Sequence, residues 1–134
     1  QNCTFNSIGG DALDFSGSNI KIINVIASEI VDKAISAGEN SSVRIEGGIF
    51  KNVGYGIASK DLSNVEVRDT TINNAKVAAV AAFQKKELFG PSSISLTATK
   101  ITNTSTKFLI QENSTGNMDG KEIKGVKLDI ETLY

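Results

Sequence analysis

The chain has 134 residues, a near balance of 14 basic and 15 acidic side chains, and no histidine. That length suits one domain, the net charge of −1 gives no field that would draw nucleic acid or anionic lipid, and the missing histidine removes the commonest general base and metal ligand. The lone Cys3 excludes an internal disulfide and reads as a small apolar residue, and no run approaches the ~18 apolar residues of a membrane helix.

The opening, QNCTFNSIGG, has neither the basic start nor the apolar centre of a signal peptide, and it looks like the middle of a repeat. A fragment of a longer, exported protein is the expectation, with an extracellular or cell-surface location. Strand-like openings follow at Ile20-Lys21-Ile22, Val43-Arg44-Ile45, Val65-Glu66-Val67 and Ile94-Ser95-Leu96, at steps of 23, 22 and 29 residues. A small-then-apolar pair recurs at Ala12-Leu13, Ala34-Ile35, Gly56-Ile57 and Ala78-Ala79, and after an insertion at Lys107-Phe108. A third column is Phe5, Ala27, Phe50, Ile72 and Ile101.

A fixed period in this range marks a solenoid, and short alternating pieces rich in Val and Ile make its elements strands. Three short strands per repeat, stacked in parallel about 4.8 Å apart, give an all-β fold: a parallel β-helix of about five coils. Lines such as NVEVRDTTINNA and SVRIEGGIFKNV resemble the right-handed parallel β-helix family of the pectate-lyase-like superfamily. The resemblance covers residues 1–115 and implies a right-handed solenoid. It is a repeat pattern shared by many activities.

Asn52, Asn74 and Asn103 stand two residues after the last three members of the Phe5 column, with Ser7 and Glu29 in the equivalent earlier places. Asparagine tolerates the left-handed turn between strands and bonds the next coil's amide, so a three-rung ladder is expected there. Residues 84–93, QKKELFGPSS, form the insertion. Helix formers crowd 75–89 and Gly90-Pro91 looks like a helix stop, but the repeat spacing makes Ala78 to Ala82 strand and 84–93 a protruding loop that folds its aromatics onto the coil. From Gly116 the pattern changes. Asp119-Gly120 signals a turn, Val126, Leu128 and Ile130 alternate, and 116–134 is expected to cap the otherwise bare end of the solenoid.

The outward positions of the first strands are where enzymes of the resembled family build sugar clefts. Those columns read Lys21, Arg44, Glu66, Ser95 and Ile23, Glu46, Arg68, Thr97. A lyase would need clustered carboxylates for calcium and a base beside a uronate; here Arg44 neighbours Glu66 and Glu46 neighbours Arg68, a charge-matched pattern. A glycosidase would need two carboxylates about 5 to 10 Å apart, one holding its proton, whereas arginines beside Glu46 and Glu66 favour the ionised form of both. No catalytic residue, metal site or cofactor is assigned. Arg44, Glu46, Glu66 and Arg68 remain candidate binding residues, with Tyr55, between Gly54 and Gly56, as the best candidate for an aromatic sugar platform. Glycosylation-type triplets begin at Asn2, Asn40, Asn103 and Asn113, as expected by chance in a chain rich in Asn, Ser and Thr. The functional expectation is a structural or binding module that meets polysaccharide or a surface protein, with no nucleic-acid or membrane-spanning role. The alternative is part of a polysaccharide lyase or glycoside hydrolase whose catalytic coils lie upstream.

Overall fold

Each repeat sets β-branched residues alternately with polar ones, so a strand built from it has one apolar and one polar side. The computed structural model describes residues 1–86 and 88–133, without the side chains of 132 and 133. The described residues form β1 (Thr4–Ile8), β2 (Leu13–Ser16), β3 (Asn19–Ile23), β4 (Ile26–Gly38), β5 (Ser42–Glu46), β6 (Ile49–Lys60), β7 (Asn64–Arg68), β8 (Thr71–Phe83), β9 (Ser93–Thr97), β10 (Lys100–Thr102), β11 (Phe108–Ile110), β12 (Thr115–Met118) and β13 (Lys121–Ile123). A single 3-10 turn follows at Ile130–Leu133.

Two sheets wrap one interior. The first face stacks β3, β5, β7, β9 and β12 in parallel, with β13 antiparallel at the end. In the other sheet β4, β6 and β8 run side by side, β1 and β2 pair with β4, and β10 and β11 pair with β8. Each long strand bends midway and so supplies both the second and the third face of its coil. Numbering coils by these paths gives five: β1–β2, β4, β6, β8 and β10–β11.

The bend has a backbone cause. Ser7, Glu29, Asn52, Asn74 and Asn103 all take left-handed conformations, with φ from 51 to 58°. A second corner, where the first face ends, repeats the device at Asn2, Asn24, Gly47, Asp69 and Ala98. One residue per coil at φ > 0 turns an extended chain sharply without breaking its hydrogen bonding to the next coil.

Register follows the repeat. Ile20, Val43, Val65 and Ile94 stack in the first face, and Phe5, Ala27, Phe50, Ile72 and Ile101 in the second. The third face differs from expectation by one residue in the fourth coil: Tyr55 pairs with Ala78 and Ile57 with Val80, so Ala78-Ala79 is not the partner of Gly56-Ile57. The reason is a bulge after Val53, which adds one residue to β8 where β6 has Gly54. β4 also carries an extra residue opposite Gly54, and a Cβ there would lie 2.6 Å from the Val31 carbonyl oxygen of β4, so this close approach depends on glycine. Inside, Ile45, Phe50, Ile57, Val65, Ile72 and Val80 are wholly buried, each worth about 1.5–3 kcal/mol relative to exposure.

The third corner holds a serine column that the spacing of apolar residues does not reveal. Ser18 N–H donates to Ser41 Oγ at 3.2 Å, Ser41 N–H to Ser63 Oγ at 3.1 Å, and Ser92 N–H to Ser114 Oγ at 3.1 Å. Ser41 and Ser92 in turn donate to the carbonyls of Gly38 and Ser59 at 2.7 and 2.6 Å. The hydroxyls thus satisfy buried backbone groups at each entry to the first face.

Residues 84–86 and 88–92 lie outside the strands and 78–82 lie within β8, because leaving the sheet as a helix would strip β8 of its ladders with β6 and β11. The loop is pinned by Asp61, whose Oδ1 accepts the N–H groups of Lys85 and Lys86 at 2.7 and 2.8 Å. Phe83 is fully buried in β8 and Phe89 half-buried, whereas Leu88 is 90% exposed. The tail departs from expectation twice. β12 pairs with β9 in coil register from Thr115, so the first face gains a fifth strand before the hairpin at Asp119-Gly120, where both φ values are positive. The alternating run is not a strand: Val126 makes one bridge to Gln111. Leu128 and Ile130 instead pack on the outer side of the third face, against Tyr55, Ala58, Ala78, Ala81 and Phe83.

Ala98 is the one alanine in the left-handed corners. Ala98→Gly is expected to stabilise the protein by about 0.5–1 kcal/mol, measured as a raised urea midpoint at unchanged slope. Ser41→Ala leaves buried partners unsatisfied and is expected to lower stability by about 1–3 kcal/mol in the same measurement.

Candidate functional site

The outward side chains of the first face come from alternate positions of five parallel strands, so they form a flat grid fixed by backbone register. Lys21, Arg44, Glu66 and Ser95 occupy one column of that grid and Ile23, Glu46, Arg68 and Thr97 the next. Three shallow depressions lie on it. One of about 430 Å³ is lined by Asn19, Lys21, Ser42, Arg44 and Glu66, and a neighbour of about 390 Å³ by Arg44, Glu46, Glu66, Arg68, Ser95 and Thr97. The third, about 330 Å³, is bordered by Asn64, Ser93, Ser95, Thr115, Asn117 and Glu122.

The structure brings Arg44, Glu46, Glu66 and Arg68 together on this face. Arg44 Nε donates to Glu66 Oε2 at 3.1 Å across adjacent coils. Glu46 departs from the expected pairing with Arg68: its Oε1 lies 3.8 Å from the Lys21 ammonium, diagonally back by one coil. A long lysine stem reaches that diagonal, and Arg68 makes no ion pair among the described residues. Both pairs are half-exposed to solvent, so each contributes about 0.2–1 kcal/mol and holds position more than it stabilises. Neither carboxylate is enclosed by apolar side chains, the setting that a general acid needs. Among the described residues no three His, Cys, Asp or Glu side chains converge as a metal site.

Tyr55 is not on this face and offers no platform. It is 4% exposed, on the outer side of the third face beneath the tail, and the Lys33 ammonium sits 5.2 Å from its ring centre. The bulge at Gly54 turns its ring into that covered seat, a consequence invisible in the bare spacing. Lys33 is itself buried, 2.9 Å from Asp32 Oδ1 and 4.0 Å from Asp11 Oδ1. Burial raises the Asp11 carboxyl above its ordinary value, with the Lys33 charge opposing. Burial and then the Lys33 charge lower the nearby Lys60 amine, while burial and then the Asp32 charge raise the Tyr55 hydroxyl.

At the bend between the second and third faces, Asn74 Nδ2 donates to Asn52 Oδ1 at 2.9 Å, and Asn52 Nδ2 to Glu29 Oε1 at 2.7 Å. The expected third rung is elsewhere. Asn103 Nδ2 donates to Asn73 Oδ1 at 2.8 Å, which also accepts from Thr102 Oγ1. The fifth coil leaves the sheet after Thr102, so its corner no longer overlies Asn74 closely enough to continue the file. Glu29, in the same column but not expected as a rung, serves as the acceptor end, a role its carboxylate fits.

Five coils, parallel register and left-handed corners together define a parallel β-helix. The model described as "Right handed beta helix region" matches residues 1–123, and the chain belongs to that family. No curated protein matches the chain significantly.

Two substitutions separate the ladder bond from the backbone strain at the bend. Asn74→Ala is expected to lower stability by about 1–3 kcal/mol, from lost bonding and left-handed strain together. Asn74→Gly removes only the bond and is expected to cost about 1 kcal/mol or less; equal losses from the two in urea unfolding would show that the bond, and not the conformation, matters.

Proposed function

We propose that this chain is a β-helix module of an exported protein, a rigid structural and binding element whose first face meets polysaccharide or another surface protein. The observation that carries the reading is the polar grid itself. Five parallel strands fix hydroxyls, amides and charges in rows with three shallow depressions, and the ion pairs Lys21–Glu46 and Arg44–Glu66 hold the long side chains in place. A preorganised array loses little side-chain freedom when a ligand docks, which suits an extended polymer of hydroxyls. Arg68, outside the ion pairs of the described residues, faces the second depression with donors suited to a carboxylate or a sugar oxygen.

A glycan array tests this directly. Retention of one polysaccharide class is expected, weakened about tenfold, or about 1.4 kcal/mol, by Arg68→Ala and further by Arg44→Ala. If no glycan is retained, the polysaccharide reading fails. If the parent protein yields unsaturated uronate products from a bound polymer, a lyase role replaces the binding role.

A further inference from the structure

We infer that residues 126–131 form a lateral latch that clamps the third, fourth and fifth coils into one unfolding unit. A solenoid ordinarily contacts only nearest neighbours and can fray coil by coil from its end. Here the tail is fastened to the fifth coil, where Val126 N–H donates to the Ile110 carbonyl at 2.7 Å and Val126 bridges Gln111. Gly125 presses close enough to this coil that a Cβ would lie 2.8 Å from Glu112 Cα. Leu128 and Ile130 then lie in a cluster that takes Ala78, Ala81 and Phe83 from the fourth coil and Tyr55 and Ala58 from the third.

The seat is built for an occupant. Outward positions on the first face are polar except Ile23 and stay at least partly open to water, whereas outward Ala58, Ala78, Ala81 and Phe83 on the third face are wholly buried. Small side chains make the floor, and Tyr55 and Phe83 flank it. Lifting the fifth coil away pulls the latch, and pulling the latch wets apolar surface two coils inward. Opening of β11 is thereby coupled to opening of β6, which shares no ladder with it.

Native-state hydrogen exchange on the full chain reads this coupling. In the parent protein, amides of β6, β8 and β11 are expected to share one opening free energy; with Leu128→Ala and Ile130→Ala together, β11 is expected to exchange about tenfold faster than β6. Both side chains are only half-buried, and Leu128→Ala alone serves should the double variant unfold. Ile123→Ala in β13 controls for the hairpin at the end of the first face. Protection that already falls stepwise from β6 to β11 in the parent, rates unchanged by the double variant, or a larger effect on β11 from Ile123→Ala would each overturn the latch.

Discussion

The fold depends on a repeated conformational constraint: one residue held at positive φ in the same place on every coil. Extended chain prefers to run straight, and a left-handed residue outside glycine costs about 1–2 kcal/mol. The coils meet that cost with residues that bear it least, Asn, Asp and Gly, at most positions of the two corners. Because the turn uses a single residue, the chain returns to extended geometry at once and each coil lies in register on the last. The side-chain bonds at the bend, Asn74 to Asn52 to Glu29, follow from that register and reinforce it.

Once register is fixed, the three faces diverge by what they carry outward. The first is a polar grid with its charges matched across coils. The second mixes Lys51 and Asn73 with partly exposed Ile26 and Ile49. The third is apolar over its third to fifth coils, where the tail packs on it, with Lys33 and Ser36 in the same columns one coil before. The covered face is closed off from water, and the open one presents fixed donors and acceptors to solvent. A rod of this kind keeps its outward polar groups in place by backbone pairing, with no moving loop needed to present them.

Buried polar groups are concentrated at corners. The serines at 41, 63, 92 and 114 are all nearly inaccessible, yet the hydroxyls of 41, 63 and 114 receive backbone N–H groups while those of 41 and 92 donate to backbone carbonyls. Asp61 does similar service for the inserted loop. An aspartate at a turn is expected to bond backbone, as Asp61 does, whereas the serine column is not legible by residue type, since serine near turns is common and only alignment in space separates a ladder from coincidence. The serines do keep a fixed place just before each strand of the first face, which is the signal that would have found them.

What the sequence determined by itself was the coil count, the strand class and the register of two faces, because side-chain alternation and a repeat near 22 residues are properties of the chain read along its length. It also located the grid of Arg44, Glu46, Glu66 and Arg68, since outward columns follow from that register. Tertiary structure decided what spacing cannot encode. A one-residue bulge shifted Ala78 and turned Tyr55 into a covered seat, Glu46 chose Lys21 over Arg68 across a diagonal, and the apolar run ending at Ile130 folded sideways onto the third face. Each of these turns on which surfaces meet in three dimensions, and apolar area or charge finds its partner by proximity in space, not by position in the repeat.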